Sequence, residues 1–247
     1  MKAMILAAGL GTRLKPLTDS VPKAMVTIAG NPLLFYTIQK LLTIGVKEII
    51  INVHHFQEKI IEYVRENKDF GISISFSKEE TLLDTGGGLK NVSSFFDDGR
   101  PFILHNVDVF SEIDLESMLA YHQHKKSLAT LAVRKRKTSR YFLFNQEHHL
   151  VGWQSLDTGE KKIVRHLSQT PENLSFMGIH VISPEIFPFL PDNPVFSIIK
   201  AYLDLAQLGQ KIVGYRNDVD FWIDLGKKEH FKIAEEFLTA KKAKKKS

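Results

Sequence analysis

Residues 2–8 (KAMILAA) are apolar after Lys2 with no polar alternation, and the run breaks at once on Gly9 and Gly11. A strand that is apolar on both sides is one that is covered on both faces, as in the middle of a parallel α/β sheet. The following residues keep to that theme. Pro16 and Pro22 hold the next segment out of regular helix. Leu34, Ile38, Leu41 and Leu42 then recur at helical spacing until Gly45. Residues 48–53 (EIIINV) read as a strand, Ile60, Ile61 and Val64 mark a helix, and Ile72, Ile74 and Phe76 alternate as in a half-buried strand. The glycines Gly86 to Gly88 are expected to precede a helix carrying Leu89, Val92 and Phe96. Residues 102–107 read as a central strand ending at Asp108, Leu115, Met118 and Leu119 as a helix, and 128–133 as a strand. Strands alternating with helices predict an α/β fold: a doubly wound, mixed, mostly parallel sheet flanked by helices.

In the second half, residues 141–145 and 150–153 read as a hairpin, 174–182 as a long strand, and Ser197 to Leu208 as a helix. Residues 211–216 and 221–223 follow as strands, and a last helix is expected from about Lys227 to Leu238. There is no internal repeat and no Gly-, Ser- or Pro-rich linker, so a single domain is expected over residues 1–240.

The net charge of +5 invites a nucleic-acid reading, but residues 241–247 alone hold five lysines and the remainder is neutral. We read 241–247 as a solvated, disordered basic tail, and expect no nucleic-acid partner. With no cysteine in the chain, disulfides and thiolate catalysis are excluded, which fits a reducing cytoplasm. No stretch approaches the ~18 apolar residues of a membrane span, and the opening residues read as a buried strand rather than a signal peptide.

Ligands of open α/β sheets bind beyond the carboxyl ends of the strands. Gly9-Leu10-Gly11-Thr12-Arg13 follows the first strand directly. Its glycines let backbone N–H groups approach a phosphate. The run is neither the dinucleotide fingerprint, since Leu14 stands where a third glycine belongs, nor the Walker loop. Asp108 and Asp224 each end a strand and could serve a metal, or a cap or turn. Arg13 and Lys23, taken alone, read as solvated surface charges rather than site residues, Lys23 more so than Arg13.

Residues 6–18 (LAAGLGTRLKPLT) and 22–25 (PKAM) resemble the signature of the sugar-phosphate nucleotidyltransferases, a family with a Rossmann-like fold. Glu79 with residues 84–88 (DTGGG), 106–108 (NVD), 176–179 (FMGI) and 222–226 (WIDLG) continue the resemblance in order along nearly the whole chain. It implies transfer of a nucleoside monophosphate from a triphosphate to a sugar 1-phosphate, with release of pyrophosphate. It also implies a division of labour. Ala8, Gly9, Gly11 and Thr12 would hold the nucleotide phosphates. Glu79, Thr85, Gly86 and Gly87 would lie about the base. Arg13 would grip the β- and γ-phosphates, and Lys23 the α-phosphate and the incoming phosphate. Asn106, Gly178 and Trp222 would contact the sugar, and Asp108 and Asp224 would hold Mg²⁺.

The pattern looks most like N-acetylmuramate 1-phosphate uridylyltransferases, which implies UTP as donor. Mannose or heptose 1-phosphate guanylyltransferases, phosphocholine cytidylyltransferases and a non-catalytic nucleotide-binding subunit remain alternatives. One position departs from the family: Val107 stands where glycine is usual before the metal aspartate, which bears on substrate binding. The adjacent pairs His54-His55 and His148-His149 point to opposite faces if in strands and are read as structural or exposed. The basic run Arg134 to Lys137 with Arg140 reads equally as facing an acceptor phosphate or as a solvated loop.

Overall fold

The computed structural model describes residues 1–244. In chain order the elements are β1 (Lys2–Leu6), β2 (Thr27–Ile28), β3 (Asn31–Pro32), α1 (Leu33–Leu42), β4 (Glu48–Val53), α2 (Gln57–Glu66), β5 (Ser73–Lys78) and α3 (Asp84–Asn91). There follow β6 (Phe102–Asn106), β7 (Val109–Ser111), α4 (Leu115–Lys125), β8 (Ala129–Arg134), β9 (Arg140–Phe144), β10 (Leu150–Ser155) and β11 (Lys161–Ile163). The chain ends with β12 (Glu172–Ile182), α5 (Ile198–Gln207), β13 (Ile212–Arg216), β14 (Trp222–Asp224) and α6 (Lys228–Lys244). This is the expected α/β fold with a mixed sheet and flanking helices. Among the described residues no helix is long and apolar enough to cross a membrane.

The chain forms two compact units, neither of them a continuous stretch. Among the described residues, the first takes 3–82, 105–112 and 221–244. Its strands run in the order β6-β1-β4-β5, with the last two residues of β6 belonging to it. β4 and β5 are parallel, from Glu48 opposite Ser73 to Val53 opposite Lys78. Ala3, Met4 and Ile5 of β1 and Ile49 to Val53 of β4 are buried, as an apolar run on both faces requires. α1 lays Leu33, Leu34, Ile38 and Leu41 into the core. The chain turns off it at Gly45, whose φ of 73° suits glycine.

A second apolar cluster in this unit joins Ile28, Leu33, Phe110, Ile223, Leu225 and Ala234. It backs the antiparallel ribbon of β7 and β14, in which Asp224 lies opposite Val109. Phe221 and Phe237 stack there at 3.8 Å, and Tyr36 meets Phe110 edge-on at 5.4 Å while its hydroxyl donates to Ile28 O at 2.8 Å. Tyr36→Phe keeps the ring and removes that hydrogen bond, so urea unfolding is expected to show a loss of about 0.5–1.5 kcal/mol.

α6 extends past the expected end at Leu238 and takes in residues 241–244 of the lysine-rich tail. Lysine and alanine are good helix formers, and Lys241 pairs with Glu112. The expectation of a disordered tail is corrected to that extent; its remainder, 245–247, lies outside the described residues.

The second unit takes residues 1–2, 83–104 and 113–220. Here the order is β11-β10-β9-β12-β6, with β8 on β12 and β13 parallel to β8. β9 and β10 form the expected hairpin. β11 has no signal in the sequence, being three residues long, two of them lysine, and without alternation. β12 is antiparallel to both β9 and β8, and its register on β8 shifts between Phe176 and His180. Asp114 caps α4, accepting from Ser117 N at 3.0 Å, and Ser197 caps α5, accepting from Ile199 N at 3.3 Å.

One expectation about this unit is corrected. Gly86 to Gly88 do not precede a helix but lie inside α3. The N–H groups of Gly86 and Gly87 both donate to Phe196 O, at 2.9 and 3.2 Å. A Cβ on Gly86 would fall 2.3 Å from the Phe196 ring, and one on Gly87 would fall 2.0 Å from Pro194 O. Backbone cannot yield to a methyl as a flexible side chain can, so Gly87→Ala is expected to cost about 1–3 kcal/mol of stability with no nucleotide present, read by thermal melting.

Candidate functional site

The candidate residues of the first unit gather around the turn that follows β1. Ala7 and Ala8 are buried. Beyond them Gly9 has open space where a Cβ would stand. Gly11 is constrained twice. Its φ of 65° is left-handed, and a Cβ would fall 2.9 Å from Thr18 Cγ2 and 3.1 Å from Lys23 Cβ. Thr18 Oγ1 holds the turn by donating to Gly11 O at 2.9 Å. Thr12, Arg13 and Leu14 then make one turn of 3-10 helix, in which Leu14 is buried and Thr12 and Arg13 are exposed. After Pro22 a second such turn, Lys23–Met25, buries Ala24 and leaves Lys23 only 8% exposed.

The two aspartates come together through strand pairing. Val107 N donates to Leu6 O at 3.1 Å, which carries the end of β6 beside β1. Leu225 N donates to Asp108 O at 2.8 Å, so Asp108 and Asp224 stand on neighbouring backbones. The Lys23 ammonium forms an ion pair with the Asp108 carboxylate. Asp224 Oδ1 accepts from Gly226 N at 2.6 Å. A Cβ on Gly226 would fall 2.7 Å from that oxygen and 2.8 Å from an Arg13 guanidinium nitrogen, so Arg13 lies over Gly226 beside Asp224. Arg13, Lys23, Asp108 and Asp224 therefore converge, two cations and two carboxylates, next to the open turn at Gly9. Among the described residues no three His, Cys, Asp or Glu side chains gather. A cation held here would have two carboxylates from the protein and would take its other oxygens from a ligand or water.

Asn106 and Trp222 flank this cluster in sequence and are part-buried; Trp222 pairs with Ser111 across the β7–β14 ribbon. His105 donates from Nδ1 to Asn106 O at 2.8 Å, and burial pushes its imidazole down to about 4, so it is neutral at ordinary pH. Val107, in the place where glycine is usual, is buried and 5% exposed, and its carbonyl receives the Thr37 hydroxyl at 3.5 Å.

Glu79 directly follows β5 and is buried, 6% exposed. Asn52 donates to Glu79 Oε1 at 2.8 Å and accepts from Ala7 N at 2.7 Å. His54 Nδ1 hydrogen-bonds to Glu79 O at 2.8 Å, a structural role for one member of its pair. Sequence reasoning missed Asn52, whose signal was a lone amide in an otherwise apolar central strand.

Thr85, Gly86, Gly87 and Gly178 belong to the second unit. Thr85 Oγ1 accepts from Ile198 N at 3.0 Å, so together with the glycines of α3 it ties the start of α3 to residues 194–198. Gly178 has a φ of 76° within the register shift of β12, a bulge position that calls for glycine on its own account. In the basic run, Arg134 donates to Asp218 O and Asp220 O, and Lys135 N to Asp218 Oδ1, so this end of the run is tied into its own unit.

Compared with known proteins, residues 2–241 match the family described as nucleotidyl transferase. A UTP–glucose-1-phosphate uridylyltransferase from Synechocystis sp. is 30% identical over 244 residues, covering 92% of this chain and 60% of its own length. A mannose-1-phosphate guanyltransferase from Gibberella zeae is 32% identical over 236 residues, covering 94% of this chain and 62% of its own. The chain thus spans about three fifths of the length of these relatives. Among solved structures, HddC from Yersinia pseudotuberculosis complexed with GMP-PN superposes with a TM-score of 0.77, covering 96% of this chain and 99% of that one at 23% identity. At that identity the likeness speaks for the fold.

Proposed function

Because the chain belongs to the nucleotidyl transferase family, we propose that it moves the nucleoside monophosphate of a nucleoside triphosphate onto a sugar 1-phosphate and releases pyrophosphate. The observation that carries this reading is the convergence of Arg13, Lys23, Asp108 and Asp224 beside the open glycine turn. Phosphoryl chemistry of this kind brings two anions together, and a protein assists by positioning them and offsetting charge.

In this reading the triphosphate lies over Ala8, Gly9, Gly11 and Thr12. Arg13 holds the β- and γ-phosphates and stabilises the departing pyrophosphate. Lys23 contacts the α-phosphate and the incoming phosphate, screening one from the other. An oxygen of the sugar phosphate attacks the α-phosphorus, the bond to the oxygen bridging to the β-phosphate breaks, and pyrophosphate leaves. The phosphate monoester is itself a nucleophile at neutral pH, so no side chain has to act as a strong base. Asp108 and Asp224 offer hard oxygen donors on neighbouring backbones, a set that fits Mg²⁺. Held there, Mg²⁺ would offset phosphate charge. Glu79 reads the base, and Asn106 and Trp222 contact the sugar.

The first reading of the substrates is UTP with N-acetylmuramate 1-phosphate or a similar hexose 1-phosphate, acting in the cytoplasm. The second is GTP with mannose 1-phosphate, favoured by a relative named for that reaction that is 32% identical. A pyrophosphate-release assay with Mg²⁺, the four nucleoside triphosphates, a panel of sugar 1-phosphates and phosphocholine tests the proposal. Turnover of a sugar 1-phosphate supports it. Turnover of phosphocholine alone, or nucleotide binding with no turnover across the panel, overturns it.

A further inference from the structure

We propose that Asn52 is a positioning residue that aims Glu79 and thereby selects triphosphates whose base carries a ring N–H on its pairing edge, uracil or guanine, over cytosine and adenine. The inference rests on the nucleotidyl-transfer reading of the glycine turn.

Asn52 sits near the end of β4, between β1 and β5, and is 3% exposed. Its amide spans two strands. Oδ1 accepts from Ala7 N at 2.7 Å, and Nδ2 donates to Glu79 Oε1 at 2.8 Å. The orientation follows from the partners. The Ala7 backbone N–H can only donate, so the amide oxygen must face β1, which turns the nitrogen to β5 and Glu79 Oε1. Aspartate would set a second carboxylate against Glu79, and leucine would leave both partners without this bond in a buried place. One side chain therefore ties the entry of the phosphate turn to the carboxylate at the end of β5.

The spacing suits a nucleotide. Two strand intervals of about 4.8 Å place Glu79 about 10 Å sideways from the turn, beyond the carboxyl ends of parallel strands, where ligands of such sheets bind. A phosphate over the turn would leave the base above β4 and β5, facing Glu79. A carboxylate there accepts from the ring N–H of uracil or guanine. Cytosine and adenine present a ring nitrogen lone pair at the same position, which repels it. His54 hydrogen-bonds to the Glu79 carbonyl and Glu79 N donates to Val53 O at 2.9 Å, so the backbone that carries the carboxylate is held while Asn52 bonds the carboxylate itself.

The test uses the whole chain. Asn52→Asp keeps an acceptor for Ala7 N and removes the donor to Glu79. Asn52→Ala, Glu79→Ala and the double variant complete a cycle. The readout is kcat/KM for UTP and GTP relative to CTP and ATP, with melting as the control for folding. The wild type is expected to favour UTP or GTP. Asn52→Asp is expected to lower that preference about tenfold, a cost of about 1.4 kcal/mol, with the larger share of the loss in KM for the triphosphate. The double variant is expected to be no less selective than Glu79→Ala alone, because Asn52 acts through Glu79. A merely structural Asn52 would lower melting and leave the preference intact, and that result overturns the inference while the reading of the site stands. A wild type that uses CTP or ATP as well as UTP and GTP overturns it too. No turnover with any triphosphate and acceptor removes the underlying reading and the inference together. Should Asn52→Ala fail to fold, Asn52→Asp and Glu79→Ala still decide the question.

Discussion

Asp108→Asn is expected to remove Mg²⁺-dependent turnover, a fall on the order of 10²–10³ or more for loss of one charge stabiliser in a phosphate site, while the chain stays folded. The amide keeps the shape of the side chain and can still accept from Lys23, its partner in the ligand-free protein. What it loses is the negative charge that a divalent cation needs. Asp224→Asn is expected to behave alike, because Leu225 N on Asp108 O and the β7–β14 pairing set both carboxylates on one ribbon. Pyrophosphate release measured over a Mg²⁺ titration checks this, with melting as the folding control. Near-normal rates in both variants would show that the ribbon holds no metal that matters to turnover.

Lys23→Ala is expected to lower kcat/KM for the sugar phosphate by about 10²–10³, and to weaken triphosphate binding much less. Lys23 stands behind Gly11 with its side chain packed against the turn and its ammonium on Asp108, inside the charge cluster rather than on the surface. Arg13, over Gly226 on the other side of the aspartates, remains to hold the triphosphate. The acceptor, by contrast, must bring a dianion against an α-phosphate that has lost its screening cation. Steady-state kinetics with the acceptor varied at saturating triphosphate, set beside a triphosphate binding isotherm, measure the two effects separately. Equal acceptor kinetics in variant and wild type would sink the role given to Lys23.

Much of the fold and of the charge cluster is legible in the amino-acid sequence. β4 is readable because Ile49 to Ile51 and Val53 make an apolar run, broken only by Asn52 and bounded by Lys47-Glu48 and His54-His55. The α1 pattern ends where Gly45 supplies a left-handed φ. Gly9, Gly11, Arg13, Lys23, Asp108 and Asp224 are candidates from motif and spacing, and the structure places all six in one unit. Other features are not legible. The glycines Gly86 and Gly87 look like a loop that cradles a ligand, but their N–H groups go to Phe196 O and their missing side chains make room for Pro194 and Phe196. Gly178 looks like a contact residue, and the structure shows a bulge that requires glycine whatever else it touches. Asn52 carries no motif at all.

The order of strands and helices, the places where the chain must turn and the stock of charged groups were determined by the sequence itself. Apolar period, turn chemistry and side-chain charge are properties of neighbours along the chain. Which of those groups meet was decided only by the tertiary structure. Asp108 joins Asp224 because β7 pairs with β14, Arg13 comes to rest over Gly226, and Asn52 bridges Ala7 to Glu79 because β4 lies between β1 and β5. Each of these contacts joins segments far apart in sequence through strand pairing and core packing, and no local stretch of residues contains that information.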